Sequence, residues 1–218
     1  MKLSKIFSYL FHPILIPTIV LYIGINNVDY FYLIFQNHSM NLYLTIISFT
    51  IVLPLISAIL FVKYGQIESL EMRDKTERRG PLLTTAAIMI IGFPIFNSTS
   101  KISLHLSSIY ISSIILLIIA FFITKKWKIS LHMLGVGGAT GTFISLNYLF
   151  GGLYYFSILF IFLSGFLAFS RLELKAHNEK QVYIGFILGC FFQSFFILSY
   201  SSIISTISIL RSSIAPIL

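Results

Sequence analysis

The chain has 218 residues, of which 57% are hydrophobic and 10% charged, with a mean hydropathy of +0.93. An ordinary soluble domain is about 25% charged, so this composition excludes a water-soluble surface of this size and makes the bilayer the solvent for much of the chain. The net charge of +8 points to anionic lipid head groups and not to nucleic acid, because the charges sit between apolar segments.

Residues 1–25 start basic and turn apolar, with Pro13 and Pro17 and no clear small-x-small cleavage site. They read as a retained first span over 8–25 and not as a removed signal peptide. Further apolar stretches run over 41–63, 81–96, 104–124, 131–150, 153–169 and 182–200, each near the roughly 20 residues that a helical span needs. The third and sixth are short, and only Gly151-Gly152 separates the fifth from the sixth. The tail, 201–218, is apolar and rich in Ser and Ile; it reads as an extension of the last helix or as an interfacial segment. In lipid each span must satisfy its own amides, which favours helices, and the ten-residue alternation of a barrel is not visible. The expected fold is an all-α polytopic helical membrane protein with six to seven transmembrane helices in a bundle. It forms a single transmembrane domain over 1–218, with a motif-bearing core at about 65–200. The single cysteine, Cys190, lies in an apolar run and reads as filler.

Three polar stretches interrupt the apolar pattern: GQIESLEMRDKTERRG at 65–80, KKWKISLH at 125–132 and SRLELKAHNEKQ at 170–181. Two spans separate each from the next, so all three return to one face, together with the amino terminus. Of the 15 basic residues, 13 fall on that face, leaving only Lys101 and Arg211 on the other. Topology alone accounts for such an asymmetry, because basic loops stay cytoplasmic. Setting aside Arg73, Lys75, Arg79, Lys128 and Arg171 as candidate site residues still leaves eight basic residues there against two. The expected location is therefore a bacterial inner (cytoplasmic) membrane, with this face cytoplasmic.

A basic face is also what an enzyme of phosphorylated lipids needs. In the third stretch Arg171 offers a planar fork that matches phosphate oxygens. His177 can exchange a proton or attack near neutral pH. If the next helix begins near Lys175, His177 and Gln181 stand four residues apart on one face. Gln181 can then accept from one ring nitrogen of His177, fixing the tautomer and leaving the other nitrogen free. In the second stretch Lys128 and His132 are also four apart, with Ser130 between them. The glycines that follow, Gly135, Gly137, Gly138 and Gly141, suit close helix contact better than phosphate cradling. The first stretch adds Arg73, Lys75, Arg78 and Arg79. The other histidines, His12, His38 and His105, are scattered, no metal-ligand spacing is evident, and no cofactor is expected.

These residues resemble the type 2 phosphatidic acid phosphatase superfamily of integral membrane lipid phosphatases, over roughly 73–189. That family's pattern is Lys, six residues, Arg-Pro; then Pro-Ser-Gly-His; then Ser-Arg, five residues, His, three residues, Asp. The third part is matched by Ser170, Arg171 and His177 at the family spacing. The second is matched loosely by Ser130-Leu131-His132, with Ile129 in place of Pro. The first is matched loosely by Arg73, six residues and Gly80-Pro81, with Arg79 one place early. The family Asp is Gln181 here. The resemblance implies that His177 attacks phosphorus to form a phosphohistidine and that His132 protonates the leaving lipid oxygen. It further implies that Arg171, with Arg79 or Arg73 and Lys75, holds the phosphoryl oxygens, with Ser130 donating another hydrogen bond. The expected partners are a lipid phosphate or polyprenyl diphosphate substrate and the membrane lipids. Because Gln181 is neutral, a degenerate relative that binds lipid or a partner without catalysis is the alternative. A transporter is disfavoured by span interiors free of acidic and basic residues.

Overall fold

The computed structural model describes residues 2–35, 39–72, 74–99 and 103–214. Its α-helices, in order, are α1 (Lys2–Leu10), α2 (Ile16–Asn27), α3 (Asp29–Phe35), α4 (Ser39–Ile47), α5 (Leu53–Lys63), α6 (Arg79–Thr99), α7 (Leu104–Lys126), α8 (Leu131–Phe150), α9 (Tyr154–Glu173) and α10 (Glu179–Ile214). Among the described residues there is no strand. Among these residues, five helical segments are long and apolar enough to cross a bilayer, and a sixth is added if the bent pair α2–α3 is one span. The chain is an integral membrane protein of the polytopic helical class.

The first predicted span is corrected. Instead of one helix over 8–25, α1 ends at Leu10 and α2 begins at Ile16. Pro13 disfavours helical backbone at His12, while Pro17 lies in the first turn of α2, where no N–H is needed. The chain then turns by 91° into α3. Within the second span, a π-helical turn over Ser48–Val52 joins α4 to α5, immediately before Pro54. The backbone N–H of Leu53 reaches Ser48, five residues back. That register absorbs the break that proline makes in the i→i−4 ladder. Pro94, by contrast, lies inside α6. The tail continues α10 through Ile214.

Helix α8 organises the bundle. Its glycines, threonines, His132 and Asn147 make it too polar to pass as a lipid-exposed span, and it is instead enclosed by α10, α9, α2 and α7. The contact with α10 is the most extensive in the molecule. It is possible because glycines meet backbone there. A Cβ on Gly137 would lie 2.2 Å from the Phe186 carbonyl oxygen, and one on Gly141 would lie 2.3 Å from that of Cys190. From the other side, a Cβ on Gly189 would meet the Leu134 carbonyl at 2.2 Å. Lipid supplies no hydrophobic drive between helices, so small residues that let backbones touch are the main source of association. This clamp fixes the start of α8 against the start of α10, where the second and third polar stretches lie.

Candidate functional site

The three polar stretches and the amino-terminal segment meet at one end of the bundle, linked by hydrogen bonds. The Ser130 N–H donates to the Gln181 carbonyl at 3.3 Å, and Arg78 donates to the Ile129 carbonyl at 3.1 Å. His132 Nε2 donates to the Ser8 carbonyl at 3.0 Å, and the Ser4 hydroxyl donates to the Glu173 carboxylate. The sharing of a face inferred from even numbers of crossings is thus met by direct contacts.

The spacing between Arg171 and His177 is the length of one helix ending. The Ala176 N–H bonds back to the Arg171 carbonyl at 3.1 Å, and the Lys175 N–H to that of Leu172 at 2.9 Å. Lys175 takes the left-handed conformation with φ 51. This six-to-one and five-to-two pattern is a Schellman ending, and a non-glycine residue accepts a cost of about 1–2 kcal/mol at its left-handed position. The turn folds the chain back so that buried His177 sits over the end of α9, within electrostatic range of Arg171.

The next helix opens with a capping box. Asn178 Oδ1 accepts from the Gln181 N–H at 3.0 Å, and Gln181 Oε1 accepts from the Asn178 N–H at 3.4 Å. The same Oε1 lies 2.8 Å from His177 Nδ1. An amide oxygen only accepts, so Nδ1 carries the proton and the lone pair is on Nε2. Burial, then the charge of Arg78, push the His177 imidazole down to about 3, against the opposing effect of the Gln181 bond. At neutral pH the ring is uncharged, which leaves Nε2 nucleophilic.

Arg78, not singled out from its neighbours in sequence, takes the inner place in the first stretch. It is 4% exposed, and its Nε donates to the Met72 carbonyl at 2.9 Å. Both hydrogen bonds it makes to the described residues go to neutral carbonyls, and the carboxylates of Asp74 and Glu77 offset its charge through space. Burial and Arg171 push it down to about 10. The acidic residues of this loop hold its shape: Glu77 accepts from the Glu68 and Asp74 N–H groups, and Asp74 accepts from Thr76. Lys75 and Arg79 reach the C-terminus of α7, bonding the carbonyls of Lys126 at 3.2 Å and Lys125 at 3.0 Å. Arg79 Nε remains buried without a partner. Arg73 lies outside the described residues.

The second stretch brings Ser130, Lys128 and His132 to the same place. Ser130 is the N-cap of α8 yet makes no side-chain cap bond, and its fully buried Oγ has no hydrogen-bond partner. Lys128 is half-buried and acts electrostatically on His177. His132 lies between two other histidines, in electrostatic range of both His12 and His177. The His12 and His132 rings meet edge to face with centroids 5.5 Å apart. Arg171 is within electrostatic range of all three histidines, and its buried Nε has no hydrogen-bond partner.

Of the candidates, His132, His177, Gln181, Arg171, Lys128 and Ser130 are gathered, while Lys75 and Arg79 turn to the end of α7. Arg78 and His12 are added. His105 lies at the other end of the bundle, against Phe150 and Ser201; His38 is outside the described residues. Among the described residues no group of three or more His, Cys, Asp or Glu stands close enough to hold a metal. The donors here are cations and a hydroxyl, a set that suits an oxyanion. Set against protein-family models, curated proteins and solved structures, the chain matches none of them.

Proposed function

We propose that this protein hydrolyses the phosphate ester or diphosphate of a membrane lipid through a phosphohistidine on His177, as the resemblance to type 2 phosphatidic acid phosphatases implies. The observation that carries this is the 2.8 Å bond from His177 Nδ1 to Gln181 Oε1, set beside the buried Arg78 and the half-buried Arg171. The Nε2 lone pair attacks phosphorus, and the P–O bond breaks as the lipid oxygen takes the proton that His132 carries on Nδ1 in its cationic form, its Nε2–H staying on the Ser8 carbonyl. Arg171 and Arg78, with Lys128 and the Ser130 hydroxyl, hold the phosphoryl oxygens. Water then attacks phosphorus as the N–P bond breaks, its proton passing to Nδ1 of His132, and inorganic phosphate departs. Positioning and charge stabilisation supply most of the catalysis in phosphoryl transfer, and this set of side chains offers both.

The basic face would draw anionic head groups from the adjacent leaflet, and we assign it to the cytoplasmic side of a bacterial inner membrane. A reporter fused after Lys126, compared with one at Lys101, tests that assignment. For the activity, purified protein is assayed for phosphate release from phosphatidic acid, phosphatidylglycerol phosphate and polyprenyl diphosphates. Activity that survives His177→Ala sinks the proposal.

A second reading, a non-catalytic binder of anionic lipid, is favoured by Gln181, which orients the ring but supplies no negative charge to its cationic form. Hydrolysis that appears only in Gln181→Asp supports the binder; turnover by the wild-type chain rejects it.

A further inference from the structure

At the basic end the wall of the bundle is closed by helix packing on every side but one. Going round, α1 packs on α9, α9 on α8, α8 on α10, α10 on α7, α7 on α6 and α6 on α5. Among the described residues, α5 and α1, which would complete the ring, make no comparable contact. Further from the basic end the same side is shut: α2 meets the π-helical turn, and Thr18 is hydrogen-bonded to Thr50. Each flank of the opening is held from one side only. On α1, Ser4 and Ser8 are buried, with Ser4 bonded to Glu173 and Phe7 stacked on Phe166, while Leu3, Ile6 and Leu10 are exposed. On α5, Pro54 and Ala58 are buried and Phe61 lies over Gly80 of α6, while Ile56, Ile59 and Leu60 are exposed. Both flanks lead to the start of α8. Ser8 of α1 accepts from His132, and Arg78, just before the helix on which α5 packs, donates to Ile129.

We propose that the opening between α1 and α5 is a lateral portal whose occupant is the hydrocarbon chain of a phosphate-bearing lipid from the adjacent leaflet. The catalytic consequence rests on the phosphatase reading; occupancy by the lipid does not. His177 is buried, so the phosphate must come in while its tail stays in hydrocarbon, because each methylene drawn into water loses the favourable transfer that keeps it there. The wall must therefore part at the depth of the tail, and between α1 and α5 it is already parted. Exposed Lys5 and Lys63, one on each flank, suit an anionic head group at the mouth. The looser pair α9 and α10 gives no such route: α8 packs on both, and the 174–178 turn crosses from one to the other.

The test photolabels the full chain in phosphatidylethanolamine–phosphatidylglycerol vesicles. The probe is a non-hydrolysable phosphonate analogue of phosphatidic acid with a diazirine on its acyl chain; a diacylglycerol with the same diazirine and no phosphate is the control. The phosphonate should label α1 and α5 several-fold more than the outer face of α9 around Phe162, and excess unlabelled phosphatidic acid should remove that excess. The diacylglycerol should label all lipid-facing helices alike. In parallel, Ile6→Trp and Ile59→Trp narrow the opening. They should lower kcat/KM for dioleoyl phosphatidic acid by about 10-fold, the scale on which hydrophobic contacts alter it, and leave that for short-chain dibutyryl phosphatidic acid unchanged. Phe162→Trp should change neither. If wild type releases no phosphate from any lipid, the phosphatase reading fails, while competed labelling of α1 and α5 still upholds the portal as a lipid site. Labelling that is uniform, or that centres on α9 or α10, overturns the proposal, whether or not the tryptophan variants fold. So does an equal loss for long and short chains in variants that melt like wild type.

Discussion

His177 donates from Nδ1 to Gln181 Oε1 across 2.8 Å, and that oxygen also closes the capping box of α10. One amide therefore does two jobs, holding the helix start and the histidine tautomer. Gln181→Ala removes both: it should cost about 1 kcal/mol through the lost cap and let the imidazole rotate. Gln181→Glu keeps the box and adds charge beside the ring. Thermal melting in detergent should rank glutamine and glutamate together above alanine. If the protein turns over lipid phosphate, glutamate should equal or exceed wild type in kcat, while alanine should fall below it.

Burial and Arg78 hold His177 down at about 3 against an ordinary 6.5, and the sign of its effect on stability follows. Above pH 6.5 the ring is neutral in folded and unfolded chains, and it contributes no pH dependence. As pH falls below 6.5 the unfolded chain takes up a proton that the folded chain does not, so folding weakens down to about pH 3. Melting temperature in detergent should therefore drop between pH 7 and 5, and His177→Asn, which cannot titrate, should flatten part of that drop. An equal slope in both proteins would contradict the low value.

The clamp between α8 and α10 gives a contrast between two glycines. Gly137 meets the Phe186 carbonyl, where an added Cβ would come within 2.2 Å, whereas Gly165 in α9 has nothing within 4 Å of that position. Gly137→Ala must push the helices apart and should cost about 1–3 kcal/mol, the usual range for overpacking. Gly165→Ala should be neutral or stabilising by up to about 1 kcal/mol from helix propensity. Retention of monodisperse protein on heating in detergent measures both.

What could be read from the sequence was mostly local. The Ser170-Arg171 to His177 interval is a single Schellman turn, and His177 to Gln181 is one helical turn, so spacing alone carried their geometry. The glycines of α8 declared close packing because few other roles fit them in a span. Hydropathy averaged over the break that Pro13 and Pro17 make in the first span, so the expected span over 8–25 ran through it. Arg78 was not distinguishable from Arg73 and Arg79. Which arginine points inward depends on the path of the loop, and that path is set by Glu77 and Asp74 bonding backbone N–H groups. The His12–His132 contact was invisible for a different reason: it spans 120 residues and depends on how α1 lies against α9.

The arginines of the first stretch should separate by role. Arg78 donates to Met72, itself in the left-handed conformation with φ 45, and to Ile129, so it pins the loop to the start of α8. Arg78→Gln should cost about 1.5–3 kcal/mol for the lost charged hydrogen bonds. It should also weaken protection of the protein by orthovanadate, an oxyanion with phosphate geometry. Lys75 and Arg79 cap the carbonyl end of α7, where a cation contributes about 0.3–1 kcal/mol. Lys75→Ala should thus lower stability only slightly and leave vanadate protection intact. Arg79→Ala is the informative intermediate, because its buried Nε has no partner of its own. If Arg79→Ala abolishes vanadate protection while Arg78→Gln preserves it, the inner phosphate ligand is Arg79, and Arg78 serves only to fold the loop.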